Sequence, residues 1–204
     1  GDLIITQGGT GKGIDRMDDV TPNVWEEAYG VGLSNGIQTV NGSTTGAGIE
    51  WTPNMMPDGL TARIFYSPSV TGAPTADKGS EGSAINSGSS GFDVTLVADS
   101  SITGMDGLTI GGGIAEFERT SASGDASDTT VYATYAIGGF TVGYQWSEAD
   151  LGTTTGAQQY DNEGYGITFA INDDLSVGYN NYESKQTSTT NVTAEADSIQ
   201  IAYS

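Results

Sequence analysis

The 204-residue chain contains neither cysteine nor histidine. Without cysteine it can form no disulfide and no thiolate metal site, and without histidine it lacks the usual catalytic triads and most zinc sites. The glycine-rich runs at 8–13 and 111–113 do not have the spacing of a phosphate-binding loop, and the sequence alone assembles no acid–base pair. We therefore predict that the protein is not an enzyme and needs no catalytic cofactor.

Basic residues and long apolar runs are also scarce. The chain has 6 lysines and arginines against 26 aspartates and glutamates, which gives a net charge of -20. Nucleic-acid binding relies on basic residues that contact phosphates, so we do not expect a nucleic-acid partner. No apolar run approaches the roughly 20 residues of a transmembrane helix. The start lacks an initiator methionine and the end falls inside an alternating pattern, so we expect a fragment that is incomplete at both ends.

Aromatic residues and glycine are abundant by comparison. The chain has 10 tyrosines, 5 phenylalanines, 3 tryptophans and 31 glycines, whereas a disordered acidic chain would be poor in aromatics. Hydrophobic residues make up 36% of the sequence, below the roughly 45–50% of soluble globular domains. The composition therefore indicates an ordered β protein with little material for a thick core.

Side chains that alternate between apolar and polar predict about ten β-strands. The predicted strands cover 2–7, 46–53, 60–69, 91–99, 108–119, 129–137, 140–149, 163–171, 174–184 and 196–204. A short helix is also predicted from Pro22 to Tyr29, with Thr21 as its cap and proline at the first helical position.

The links between the predicted strands alternate strictly in length. Short links lie at 55–59, 103–107, 138–139 and 172–174, and long links at 8–45, 70–90, 120–128, 150–162 and 185–195. A β-sandwich does not require this alternation. A transmembrane barrel does, because its short periplasmic turns lie at one rim and its long loops at the other. The pattern therefore favours an all-β protein with an antiparallel transmembrane β-barrel.

One face of each predicted strand is apolar and the other is small or polar. Because strand side chains alternate with period 2, the aromatic residues of GGFTVGYQWSEAD share one face. The polar faces hold few lysines, as expected of a water-filled lumen and not of an outer surface. The residues predicted to face lipid are Trp51, Tyr66, Phe140, Val142, Tyr144, Trp146, Tyr165, Ile167 and Phe169.

The predicted strand at 108–119 is an exception to this pattern. Its Ile110 and Ile114 are in phase with Glu116 and Glu118. A bulge near 111–113 would explain the change, and so would emergence of the strand from the membrane after Ala115. The sequence does not choose between the two.

Three segments resemble the general porins of the Gram-negative outer membrane, most of all the alphaproteobacterial type. They are LTARIFYSPS at 60–69, YAIGGFTVGYQWSEAD at 135–150 and GYGITFAINDDLSVGYNNYES at 164–184. The resemblance implies that 1–204 is a single region of a porin barrel of about sixteen strands. It also implies a homotrimer in contact with outer-membrane lipid, through which small hydrophilic solutes and ions diffuse passively.

In this family the long segment that corresponds to 8–45 folds into the barrel and narrows the pore. The resemblance therefore implies a constriction loop whose acidic side chains face basic residues on the opposite wall. The candidate constriction residues are Lys12, Asp15, Arg16, Asp18, Asp19, Glu26, Glu27, Glu50 and Arg63. Because acidic residues outnumber basic ones, we predict a channel that prefers cations.

Two other interpretations stay open. Asp15, Asp18 and Asp19 could hold a structural calcium ion, although their spacing does not match an EF-hand loop and solvated loop acids are the simpler account. The composition also fits a secreted or surface-layer acidic β protein with an adhesive or structural role. That alternative explains neither the alternating link lengths nor the apolar faces.

Overall fold

A computed structural model of the chain describes residues 1–6, 11–18, 20–24, 47–68, 88–119, 125–150, 159–187 and 191–203. In this part of the chain ten strands form one antiparallel sheet, and each strand pairs with the next along the sequence. The first and the last strand are its edges, so the described sheet is open. No helix among these residues is long and apolar enough to cross a membrane.

The strands are longer in the second half of the sheet than in the first. They are β1 Asp2–Thr6, β2 Gly48–Thr52, β3 Leu60–Ser67, β4 Gly88–Ala98, β5 Leu108–Arg119, β6 Ala126–Ile137, β7 Phe140–Asp150, β8 Gln159–Ala170, β9 Leu175–Thr187 and β10 Val192–Tyr203. A 3-10 helix at Gly13–Met17 lies between β1 and β2, and a one-turn helix, α1 at Ser100–Thr103, lies between β4 and β5.

The ten-stranded antiparallel prediction is confirmed, but several strands run further toward the long links than expected. β6 begins at Ala126, β8 at Gln159 and β10 at Val192. The prediction relied on large apolar residues on one face, and these residues stop before the strands end. Backbone pairing continues past them, as it does between Glu163 and Glu183. The apolar band is therefore shorter than the hydrogen-bonded ladder.

The short links are hairpin connections of different lengths. Gly138 and Gly139 join β6 to β7, and Gly138 has a φ of 58°, which glycine adopts without steric cost. Between β4 and β5, the Asp99 side chain accepts a hydrogen bond of 2.8 Å from the Ser101 N–H and so caps α1. The sequence did not predict α1, because four residues are too few to show helical periodicity.

The bulge considered for β5 is not found. Pairing of β5 with both neighbours is continuous through Gly111–Gly113, and the register shift lies in β4 instead, between Gly88 and Gly91. Glu116 and Glu118 lie on the exposed face of β5 beyond Ile114. Their position agrees with the other explanation, in which the strand leaves the apolar band after Ala115.

The helix predicted from Pro22 to Tyr29 is wrong where it can be compared. Residues 22–24 are not helical, and 25–29 lie outside the described residues. The physical reason is that the Pro22 carbonyl and the Val24 N–H are hydrogen-bonded to side chains of the sheet. The bond of the Pro22 carbonyl takes the place of a bond within the helix, and the bond of the Val24 N–H takes the place of one to the predicted Thr21 cap.

The two faces of the sheet differ in burial. On one face large apolar side chains are exposed, with Trp51 at 42% and Tyr165 at 46%. On the other face polar side chains such as Glu50, Thr130 and Asn180 are buried. No second sheet covers these polar residues in the described part of the chain; a loop segment covers them.

Some of the glycines on the polar face make room for aromatic rings. The ring of Tyr132 lies over Gly111 and the ring of Tyr182 lies over Gly164, each on the neighbouring strand. A Cβ atom at either glycine would overlap the ring. Pairs of this kind compensate for the missing glycine side chain and let wide rings lie along the wall.

Candidate functional site

A loop segment between β1 and β2 crosses the polar face of the sheet. Residues 11–18 and 20–24 of this segment are called the strap below. The strap is hydrogen-bonded to Glu50 on β2, Gln145 on β7, Asn180 on β9 and Gln200 on β10. It therefore extends across the polar face from the second strand to the last.

The first half of the strap is anchored by charge. Arg16 Nη2 lies 2.8 Å from Glu50 Oε1, and the Gly13 N–H donates to Glu50 Oε2 at 2.7 Å. Glu50 is only 1% exposed, whereas the Arg16 side chain is 34% exposed. A buried carboxylate is costly without such partners, and charge-assisted hydrogen bonds are about twice as strong as neutral ones. Glu50 thus fixes this end of the strap to β2.

Gly13 lets the strap approach β4 closely. Its φ of 53° lies in the left-handed region that other residues rarely adopt. A Cβ atom at Gly13 would overlap the carboxylate of Asp93, which is fully buried beneath the strap. A larger residue at position 13 would therefore have to displace the strap from the wall.

An apolar contact lies beside the ion pair. Ile14 has no exposed surface and packs against Ala115 and Phe117 of β5 and Ala126 of β6. Complete burial of an isoleucine side chain is worth about 1.5–3 kcal/mol. The first half of the strap is therefore held by packing as well as by charge.

From Met17 to Val24 the strap is held by neutral groups. Gln145 Nε2 donates to the Met17 carbonyl at 2.5 Å, and Asn180 Nδ2 donates to the Pro22 carbonyl at 2.6 Å. The Val24 N–H donates to Gln200 Oε1 at 2.9 Å. Each of these bonds joins a carboxamide of the sheet to the strap backbone.

The predicted constriction residues that the structure describes lie on the strap or on the polar face. Lys12, Asp15 and Asp18 are partly buried on the strap, and Asp15 accepts a hydrogen bond from the Gly11 N–H. Arg63 lies on β3, on the polar face and in register with Thr95 of β4. Lys12, Asp15 and Asp18 thus belong to the same half of the strap as Arg16, which pairs with Glu50. Asp19, Glu26 and Glu27 lie outside the described residues, and the role of the whole set in a constriction stays a prediction.

Sequence reasoning did not identify the side chains that hold the strap from below. These are Gln145, Asn180 and Gln200, while Asp93 lies beneath Gly13. Their only sequence signal is that each is a polar residue on the polar face of its strand. Nothing local links Val24 to Gln200, which are 176 positions apart.

Many acidic residues of the strands lie on the face opposite the strap. They follow the apolar band toward the long links: Glu116, Glu118, Glu148, Asp161, Glu163, Glu183, Glu195 and Asp197. On the polar face the described strands carry Asp2, Glu50, Asp93 and Asp128 together with Arg63. The net charge of the chain is therefore not a measure of the charge on the polar face.

The nine residues predicted to face lipid all lie on the exposed apolar face. Most of them are well exposed, while Trp146 and Phe169 are half-buried by their neighbours. Phe169 stacks on Phe140 with ring centroids 4.2 Å apart. At the end of the band Trp146 Nε1 donates to Asp161 Oδ1 at 2.5 Å. An aromatic residue with its polar atom bonded at the edge of an apolar band is typical of a membrane interface.

The calcium interpretation stays untested. Among the described residues no group of three acidic side chains is arranged to hold a metal ion. Asp15 and Asp18 belong to the strap, but Asp19, the third proposed ligand, lies outside the described part of the chain.

One comparison with known proteins finds a match that covers nearly the whole chain. Residues 9–204 match a family model described as Gram-negative porin. The matched region includes the strap and the strands from β2 to β10. No curated protein matches the chain significantly.

Proposed function

This chain belongs to the Gram-negative porin family, and from that premise we propose that it forms a cation-preferring pore whose width and charge are set by the strap. Proteins of this family are channels of the bacterial outer membrane and not enzymes, and small solutes pass through them. The proposal adds the part that the strap plays and the sign of the ion preference.

The path of the strap across the polar face carries this proposal. In a transmembrane barrel the apolar face of the strands contacts lipid and the polar face lines the water-filled interior. A segment bonded to the polar face therefore lies inside the barrel, where it takes up part of the cross-section. The bonds of Glu50 to Gly13 and Arg16, together with the burial of Ile14, support a fixed position there.

The charge of this segment supports a preference for cations. The segment 8–45 has five acidic and two basic residues. Arg16 is balanced by Glu50, which leaves Lys12 against Asp15 and Asp18 in the strap. The remaining acids of the segment are Asp19, Glu26 and Glu27. Acidic groups at a narrow point raise the local concentration of cations and exclude anions.

Arg63 supplies the opposing charge in this proposal. It lies on the polar face of β3, between the residues Thr61 and Phe65 of the same face. Because β3 lies next to β2, where Glu50 anchors the strap, Arg63 lies beside the acids of the strap and offsets part of their charge. Because the strap carries more acidic residues than the wall carries basic ones, the pore still prefers cations.

Two further properties of the family are proposed for this chain. The nine residues of the apolar face, from Trp51 to Phe169, would contact the hydrocarbon of the outer membrane. We also propose the homotrimer that is usual in the family, and cross-linking in native membranes followed by mass measurement would test it.

Single-channel recording in a planar bilayer under a salt gradient tests the function. Large ohmic steps with a reversal potential on the cation side would support the proposal. The variant Asp15→Asn/Asp18→Asn should reduce the cation preference, while the control Glu116→Gln/Glu163→Gln, on the outer face, should keep it.

Two results would contradict the proposal in different ways. Large steps with no cation preference would overturn the charge assigned to the strap. A protein that forms no channels and stays in solution without detergent would favour the secreted or surface-layer alternative.

A further inference from the structure

The second half of the strap rests on glycines of two neighbouring strands. Gly143 on β7 and Gly166 on β8 pair with each other in register, and a Cβ atom on either would overlap Pro22. A Cβ atom on Gly164 would come within 3.3 Å of the Thr21 hydroxyl. We call these three glycines the seat. Thr21 is only 5% exposed above it, so the strap fits a surface from which side chains are missing.

Two carboxamides close over this seat from the neighbouring strands. Asn180 Nδ2 donates to the Pro22 carbonyl at 2.6 Å, and Asn180 Oδ1 accepts from Gln200 Nε2. Gln200 Oε1 accepts from the Val24 N–H at 2.9 Å. The hydrogen bonds therefore run in one direction from Val24 through both amides to Pro22.

The nitrogen and the oxygen of both side-chain amides take part in this chain of hydrogen bonds. Asn180 is fully buried and Gln200 is 3% exposed, so a broken bond would leave a buried polar group without its partner. Such a loss costs more than the bond itself contributes. The arrangement requires a donor and an acceptor on each side chain, and neither aspartate nor glutamate supplies both when ionised.

We propose that Asn180 and Gln200 are positioning residues that hold residues 21–24 of the strap in the glycine seat. They fix the second half of the strap by neutral hydrogen bonds, while the Arg16–Glu50 pair fixes the first half by charge. This inference rests on the proposed function, in which the strap narrows the pore. It assigns the two ends of the strap different responses to salt and to substitution.

A thiol reporter in the seat tests the inference without relying on conductance. The chain has no cysteine, so Thr21→Cys introduces a single thiol at a buried position. A water-soluble thiol reagent should modify it slowly when the seat is occupied. Adding Asn180→Ala or Gln200→Ala should speed the modification about tenfold or more, because one lost hydrogen bond shifts an equilibrium by about that factor.

Asn162 provides the matched control. It is a buried amide on β8 that donates to Ser147 Oγ at 3.2 Å and accepts from Ser184 Oγ at 2.7 Å. It belongs to the polar face, but its bonds go to the sheet and not to the strap. Adding Asn162→Ala should leave the modification rate of Thr21→Cys unchanged.

Isosteric variants separate positioning from space filling. Asn180→Leu keeps roughly the volume and shape of the side chain and removes both its donor and its acceptor, so it should release the seat as Asn180→Ala does. If Asn180→Leu protects the thiol as well as asparagine does, hydrogen bonding is not what holds the strap. Hydrogen exchange of 20–24 in the chain without the reporter gives the same comparison if Thr21→Cys itself disturbs the seat.

Salt tests whether the bonds that hold residues 21–24 in the seat are neutral. Raising the ionic strength from about 0.1 to about 1 M shortens the Debye length from roughly 10 to roughly 3 Å. The modification rate of Thr21→Cys should not change over this range, because the bonds at the seat are neutral.

The outcomes also separate this inference from the proposed function. Equal modification rates in the parent, Asn180→Ala and Asn162→Ala backgrounds would contradict the positioning role of Asn180, whatever the conductance. A strongly salt-dependent rate would overturn its neutral character. Suppose that Thr21→Cys is modified slowly, that Asn180→Ala speeds the modification, and that the protein forms no channel. This result would support the positioning role of Asn180 and overturn the proposed function.

Discussion

Arg16 on the strap and Glu50 on β2 form an ion pair of 2.8 Å across 34 positions of sequence. The carboxylate is buried while the guanidinium is partly exposed. The pair therefore joins the strap to the wall and also removes one charge of each sign from the polar face. Both consequences can be measured.

Glu50→Gln should weaken the cation preference. The change leaves the Arg16 charge unbalanced and removes charge-assisted hydrogen bonds, which are worth about 1.5–3 kcal/mol each. Because Arg16 is partly exposed, solvent screening places the loss toward the low end of that range. The measurement is the reversal potential in a salt gradient.

The outer face offers a matched control for this variant. Lys185 Nζ lies 2.6 Å from Glu183 Oε1, and both side chains are partly exposed there. Glu183→Gln breaks a similar pair away from the polar face and should leave the reversal potential unchanged. Equal effects of the two variants would contradict the placement of the Arg16–Glu50 pair in the ion path.

Ile14→Ala should loosen the first half of the strap. Truncating a buried isoleucine to alanine costs about 2–5 kcal/mol, and Ile14 has no exposed surface. Hydrogen exchange of 11–18 should become at least about tenfold faster, since local opening needs less free energy. Ile114→Ala removes the same atoms from the exposed face of β5 and should not change exchange in the strap. Unchanged exchange in Ile14→Ala would show that packing does not hold this segment.

Ile167→Arg should destabilise the protein in a lipid bilayer, because Ile167 is 41% exposed on the apolar face. An arginine facing lipid near the midplane costs about 2–4 kcal/mol. Thr168, the next residue of β8, lies on the polar face and pairs with Thr141 and Gly178. Thr168→Arg should cost much less, as measured by urea unfolding in vesicles. A larger loss of stability in Thr168→Arg than in Ile167→Arg would mean that the two faces of the sheet are assigned the wrong way round.

The sheet was predictable from sequence because its signal is local. Residues such as Phe140, Val142 and Tyr144 alternate with small or polar neighbours, and Gly138–Gly139 marks the turn before them. Strand ends were harder to predict. Beyond the apolar band both faces become polar, so alternation disappears while pairing continues, as in β8 from Gln159 onward.

The path of the strap could not be read from its own residues. Pro22 and the residues after it suggested a helix, yet the Pro22 carbonyl is bonded to Asn180, 158 positions away. Ile14 stands between a glycine and an aspartate in the sequence, but it packs against apolar side chains of β5 and β6. Contacts of this range depend on the assembled sheet, and the strap sequence alone carries no signal for them.

The most direct test of the account is chemical modification of Asp18→Cys during single-channel recording. The chain lacks cysteine, so a positively charged and a negatively charged thiol reagent will each react at this one position. If the strap lies in the ion path, the positive reagent should lower the cation preference and the negative reagent should restore it. Glu163→Cys, on the outer face, should show neither effect. Complete modification of Asp18→Cys with no change in ion preference would contradict the account.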